Sequence, residues 1–142
     1  MHVFTYGSLM FPEVWRIVVG REFETVEGAV AGYSIFRVDE AEYPGITAAG
    51  GDGVVRGLVY LDVDDASVAR LDRFEGSLYD RVNLPIVCVD GVLRTAEAYV
   101  ISESNRHALT AEMWTAEEFV SSGGLAEFML KYQGFSWLGG EG

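Results

Sequence analysis

The sequence predicts an α+β fold with a mixed or barrel-like β-sheet and two or three short helices. Three observations carry that expectation. Strand-like runs dominate the chain, and only two or three short helical patterns separate them. A hydrophobic fraction of 49% with 17 glycines and three prolines belongs to a turn-rich globular protein rather than a disordered one. At 142 residues the chain fits one domain, 1–142, able to bury about two thirds of its unfolded surface. Residues 138–142, ending Gly139-Gly140-Glu141-Gly142, are expected to fray.

The first strand begins at Val3 and runs into a glycine turn at Tyr6-Gly7-Ser8-Leu9. Pro12 opens a short helix with Val14, Trp15, Val18 and Val19 at helical spacing, and Gly20 stands at its C-terminal cap. Residues 22–39 favour strand, and Gly28 and Gly32 leave them as two strands or one bulged strand. Residues 42–53, rich in glycine and alanine around Pro44-Gly45, read as a loop, too small-residued and turn-rich for a core element. Val54–Val63 reads as a strand lying mid-sheet, with Gly57 marking a bulge or a close approach.

Asp64-Asp65 cap a helix of about three turns whose apolar positions are Val68, Leu71 and Phe74 and whose stop is Gly76. Val82–Cys88 and Val92–Ile101 form a hairpin around a two-residue Asp90-Gly91 turn. Thr115 and Glu118 have capping-box spacing, and the segment to Tyr132 reads as one or two helices broken at Gly123-Gly124. Trp114 and Phe119 are expected to anchor these last helices on the sheet.

The formal charge is −12, and Lys131 is the sole lysine. Such a chain repels phosphate backbones and anionic lipid, so neither nucleic acid nor a membrane is an expected partner, and nothing points to an oligomeric state. No window approaches the ~20 apolar residues of a membrane span, and no basic segment precedes an apolar run of signal-peptide length; a cytoplasmic location is expected. One cysteine, Cys88, forms no internal disulfide, and with His2 and His107 the only histidines the usual zinc ligand sets are missing. A metal-independent protein without a cofactor follows as the expectation. Cys88 sits on the apolar face of a strand and reads as core, and His107 as a surface loop residue.

Chemistry concentrates in two stretches. At the Gly7-Ser8 turn, backbone N–H groups left without strand partners point outward and can hold a carboxylate or an oxyanion without a charged side chain. The turn lacks the further glycines and the lysine of a phosphate loop. Ser8 reads as a turn hydroxyl bonding its own backbone ahead of a nucleophile, because neither histidine lies in a partnering motif. In the second stretch, Leu71 to Arg81, Asp72 and Glu75 occupy a last helical turn, where the dipole disfavours negative charge by some tenths of a kcal/mol up to about one. A carboxylate held there and partly buried has a raised pKa, which suits a group that must take and return a proton near neutrality. Equally open is a solvated Glu75 at a frayed helix end, with Arg73 or Arg81 relieving its repulsion. Tyr6, Tyr43 and Tyr79 offer phenols to a pocket or pack in the sheet.

Taken together, Tyr6-Gly7-Ser8-Leu9, Tyr43-Pro44-Gly45, Gly57-Leu58-Val59-Tyr60, Leu71-Asp72-Arg73-Phe74-Glu75-Gly76, Tyr79-Asp80-Arg81 and Trp114 to Phe119 carry a resemblance. From Val3 to about Tyr132 the chain resembles the gamma-glutamylcyclotransferase-like superfamily, in its avirulence-induced-gene-like branch. The pairing of YGSL with a downstream LDxFEGxxYxR is specific, and Leu9, in place of the asparagine of the glutathione-pathway branches, points to the branch that includes γ-glutamylamine cyclotransferases. The resemblance implies a small mixed barrel with flanking short helices, in which the YGSL turn and the glutamate of the EG pair meet in a cavity. It implies Tyr6, Gly7, Ser8 and Leu9 as the substrate-binding loop, Glu75 as the acid/base, and Tyr43, Pro44 and Tyr79 as pocket walls. The implied reaction converts a γ-glutamyl amine or peptide to 5-oxoproline plus free amine by internal aminolysis, with no metal or cofactor. Two other readings stand beside it: a non-catalytic module that holds a small carboxylate in the same cavity, and an interaction protein whose acidic surface meets a basic partner.

Overall fold

The computed structural model describes residues 1–39, 44–48 and 52–131. In chain order its strands are β1 (Val3–Thr5), β2 (Thr25–Ala31), β3 (Tyr33–Arg37), β4 (Pro44–Ala48), β5 (Val54–Tyr60), β6 (Tyr79–Cys88) and β7 (Leu93–Ile101). Its helices are α1 (Pro12–Val19), α2 (Asp65–Glu75), α3 (Ala116–Ser121) and α4 (Gly124–Lys131). Five strands close a barrel in the order β1-β5-β2-β6-β7, and β3 pairs with β4 in a separate two-stranded sheet. The β1–β7 contact that closes the barrel is parallel, whereas β1–β5, β2–β5, β2–β6 and β6–β7 are antiparallel. This is the α+β fold that the residue pattern predicts, and the small mixed barrel with short flanking helices that the resemblance implies.

Strand alternation sorts the apolar side chains into two cores. One contains Phe4, Val55, Val59, Ile86, Cys88 and Ala98. The other gathers Val3, Tyr60 and Ile101 with the helical residues Trp15, Val19, Leu71 and Phe119. Consecutive residues of β1, Val3 and Phe4, thus belong to different cores. Gly57 is what lets β1 lie so close: a Cβ there would sit 2.0 Å from the Thr5 carbonyl oxygen, where no side chain fits.

The helix ends follow their local signals. Gly20 closes α1 at φ 78°, and Gly76 follows α2 at φ 71°. Asp64 caps α2 by accepting the Ser67 N–H at 3.3 Å, and Thr115 caps α3 by accepting the Glu118 N–H at 3.2 Å. The tail contains two helices, with Gly123 between them at φ 84° and Gly124 already inside α4. Trp114, Phe119 and Cys88 are buried, and His107 is exposed.

Three expectations need correction. Residues 44–48, read as loop, form β4 in register with β3, and Ile46 is wholly buried. Local composition loses here to tertiary packing: a Cβ on Gly45 would meet Leu109 at 3.0 Å, and Pro44 takes the first position of a strand, where its missing N–H is tolerated. The remaining residues of that expected loop, 42–43 and 49–51, lie outside the described residues apart from Asp52 and Gly53, as do Tyr132 and the tail expected to fray. The β6–β7 turn is three residues long, not two. Gly91 N–H reaches the Cys88 carbonyl at 2.9 Å, Cys88 N–H reaches the Val92 carbonyl at 3.1 Å, and Gly91 sits at φ 84° in the bulge position of such loops. Finally, β5 ends at Tyr60 rather than Val63, and β6 begins at Tyr79, three residues before the expected start.

Candidate active site

Beyond β1, residues Ser8–Met10 make a single 3-10 turn whose first internal bond runs from Met10 N–H to the Gly7 carbonyl at 3.0 Å. The N–H groups of Ser8 and Leu9 precede that bond and take no part in it. Phenols hold the turn from several sides. Tyr60 donates to the Leu9 carbonyl at 2.8 Å while its ring stacks on Trp15 at 3.5 Å. Tyr6 donates to the Tyr99 carbonyl at 2.6 Å, and Tyr79 to the Pro44 carbonyl at 2.6 Å. Pro44 in turn packs on Gly7, where a Cβ would lie 2.8 Å from its ring carbons.

Glu75, at the end of α2, faces this turn across a cavity of about 80 Å³ lined by residues 6–9 together with Pro44, Glu75, Tyr79 and Tyr99. That volume exceeds several times what one water needs. Part of the Glu75 side chain stays open to solvent, yet its carboxyl is desolvated: burial pushes it up to about 8, and the neighbouring Asp72 charge adds to the shift. Burial, with the Glu75 charge second, also pushes the Tyr6 phenol well above its ordinary value, which keeps it a donor.

The charges beside the cavity are spent elsewhere. Arg81 Nη1 pairs with Asp72 Oδ2 at 2.5 Å, and Arg81 Nε with Glu97 Oε1 at 3.2 Å. Tyr99 Oη donates to Asp72 Oδ1 at 2.6 Å. Among the described residues no ion pair reaches Glu75, so neither Arg73 nor Arg81 relieves it. The alternative of a solvated Glu75 relieved by Arg81 does not fit this arrangement, because Arg81 serves Asp72 and the Glu75 carboxyl is desolvated.

The structure brings Tyr6, Gly7, Ser8, Leu9, Glu75 and Tyr79 to one cavity, whereas Tyr43 lies outside the described residues. Sequence reasoning missed Tyr99, whose carbonyl and hydroxyl both bond to site residues. The signal lay in the hairpin: Tyr99 is the cross-strand partner of Arg81.

The chain's relatives agree with this fold. A family model described as gamma-glutamyl cyclotransferase, AIG2-like, matches residues 3–116. Protein AIG2 C of Arabidopsis thaliana is 31% identical over 119 residues, covering 83% of this chain and 71% of that protein. A solution structure of another Arabidopsis thaliana protein is 29% identical with a TM-score of 0.70, covering 92% of this chain and 79% of its own. An AIG2-like protein of Mus musculus shares the fold at 20% identity, with a TM-score of 0.61 and coverage of 82% and 88%. With the YGSL turn, the Glu75 segment and the barrel all inside the matched span, the chain belongs to the gamma-glutamyl cyclotransferase, AIG2-like family.

Proposed function

We propose that the protein is a γ-glutamyl cyclotransferase that converts a γ-glutamyl amine or peptide to 5-oxoproline and free amine, with Glu75 as general acid/base. The observation that carries the reading is a desolvated carboxyl, with no cation paired to it among the described residues, sharing one small cavity with a turn whose first N–H groups lie outside its internal bonding. In the proposed reaction Glu75 takes a proton from the substrate's α-ammonium group. The freed amine attacks the γ-carbonyl carbon of the same molecule and closes a five-membered ring. As the tetrahedral centre collapses, the bond to the leaving nitrogen breaks and Glu75 returns the first proton to that nitrogen; the second proton, which the ring nitrogen sheds on becoming the lactam N–H, leaves on the departing amine as its ammonium.

The physics suits so small a catalytic set. Attack within one molecule needs no second substrate to be captured, so holding the folded conformer supplies much of the acceleration. A carboxyl poised near neutral pH is an efficient proton carrier in both directions. The N–H groups of residues 7–9 bind the α-carboxylate or the developing oxyanion as fixed dipoles. Tyr6 and Tyr79, committed to backbone carbonyls, act as walls rather than proton donors to substrate.

The test is release of 5-oxoproline from a panel of γ-glutamyl amines and γ-glutamyl dipeptides, followed by mass spectrometry for wild type and Glu75→Gln. Product from at least one panel member, lost in the variant, is the expected result. No product from any member, with calorimetric binding of the same compounds, would turn the reading toward a carboxylate-binding module.

A further inference from the structure

Asp72 and Glu75 stand three residues apart in the last turn of α2, a spacing that makes them neighbours on the helix surface. Like charges there repel each other, and both oppose the helix dipole. Such a pair persists only if something holds it, and the holds fall on one member. Tyr99 Oη lies 2.6 Å from Asp72 Oδ1, Arg81 Nη1 binds Oδ2, and Glu97 anchors the same guanidinium through Nε at 3.2 Å. Each Asp72 carboxylate oxygen therefore has its own donor. Tyr99 also accepts the Tyr6 phenol at its carbonyl, so one residue ties the turn and the acidic helix end together.

Resting on the cyclotransferase reading above, we propose that Asp72 is a positioning residue of the reaction: Tyr99 and Arg81 clamp it so that a fixed negative charge stands beside the Glu75 carboxyl and the Arg81 guanidinium is held away from that carboxyl. The ionisable neighbours of Glu75 come from four elements. Tyr6 reaches it from the turn that follows β1, Tyr79 from β6 and Tyr99 from β7, all as phenols, and Asp72 from its own helix. Arg81 of β6 stands behind Asp72. Among the described residues Asp72 is thus the formal charge that acts on Glu75, and it makes Glu75 keep its proton to a higher pH than burial alone demands.

Asp72→Asn removes that charge while retaining one of the two acceptor oxygens that Tyr99 and Arg81 now use. Two readouts apply: the pH titration of the Glu75 carboxyl carbon by NMR, assigned by its loss in Glu75→Gln, and the acid limb of kcat/KM. The expected result is a fall of about one pH unit in both midpoints, with Asp72→Glu restoring the wild-type midpoints. Tyr99→Phe, which loosens Asp72 but keeps its charge, is expected to shift both midpoints less in the same direction. A Glu75 carbon titrating at the wild-type pH in whichever of these variants folds overturns the coupling. A carbon that shifts while the acid limb does not follow overturns the role in the reaction. Should the wild type turn over no γ-glutamyl compound, the cyclotransferase reading fails by itself, and the carbon titration still decides whether Asp72 acts on Glu75.

Discussion

On the β1 side of the cavity the holds are neutral hydrogen bonds: phenols of Tyr6 and Tyr60 on main-chain carbonyls at 2.6 and 2.8 Å, and a proline ring against a glycine. On the α2 side they are ionic, with Asp72, Arg81 and Glu97 in a chain and Glu75 left out of it. The first arrangement is indifferent to pH over the physiological range and to salt, and so suits a cradle that must keep one shape. The second makes protonation depend on position, which suits a group whose task is to change charge. Tyr99 is bonded to both walls, through its carbonyl to Tyr6 and through its hydroxyl to Asp72.

Four changes probe that division, from the largest effect down. Glu75→Gln should lower 5-oxoproline release by about 10²–10⁴ without loss of fold; a variant within threefold of wild type would move the proton chemistry elsewhere. Gly7→Ala forces a methyl against the Pro44 ring carbons, 2.8 Å from the ideal Cβ, and overpacking of this kind costs about 1–3 kcal/mol. A lowered melting temperature together with a raised KM is the expected pair; an unchanged melting temperature would show that this wall yields.

Third comes pH. Glu75 has an ordinary value of 4.5 and is pushed up to about 8 in the fold, so between those values the folded chain holds a proton that the unfolded chain has released. Its contribution to stability is full below about 4.5 and is lost as pH rises through about 8. Melting curves from pH 4 to 9 should show wild type losing stability relative to Glu75→Gln across that window; parallel curves would contradict a desolvated carboxyl. Smallest is Thr115→Ala, at the cap of α3 away from both walls. Loss of the 3.2 Å bond to Glu118 N–H should cost about 1 kcal/mol and leave turnover unchanged.

What was legible in the residues depended on how local its cause was. Gly20, Gly76 and Thr115 mark helix ends by backbone conformation or a side-chain cap within a few residues, and all three stand where such signals put them. Glu75 was legible because the dipole penalty at a helix end is also local. β4 was not: Pro44-Gly45 looks like a turn until β3 pairs with it and Leu109 covers the glycine. Tyr99 was hidden by one residue of register. A two-residue Asp90-Gly91 turn would set Val100 against Arg81, whereas the three-residue loop sets Tyr99 there, and in a hairpin that single step exchanges the faces of a whole strand.

The parallel contact of β1 with β7 has a consequence for how the site comes into being. Val3 pairs with Tyr60 on one side and Glu97 on the other, so the strand that leads into the Gly7-Ser8 turn has no partner nearby in the chain. During synthesis it leaves the ribosome well ahead of both, and barrels closed by such distant contacts are slow to assemble. This stave is made well before either of its neighbours, and the hollow that would receive a γ-glutamyl group is complete only when the cask is closed.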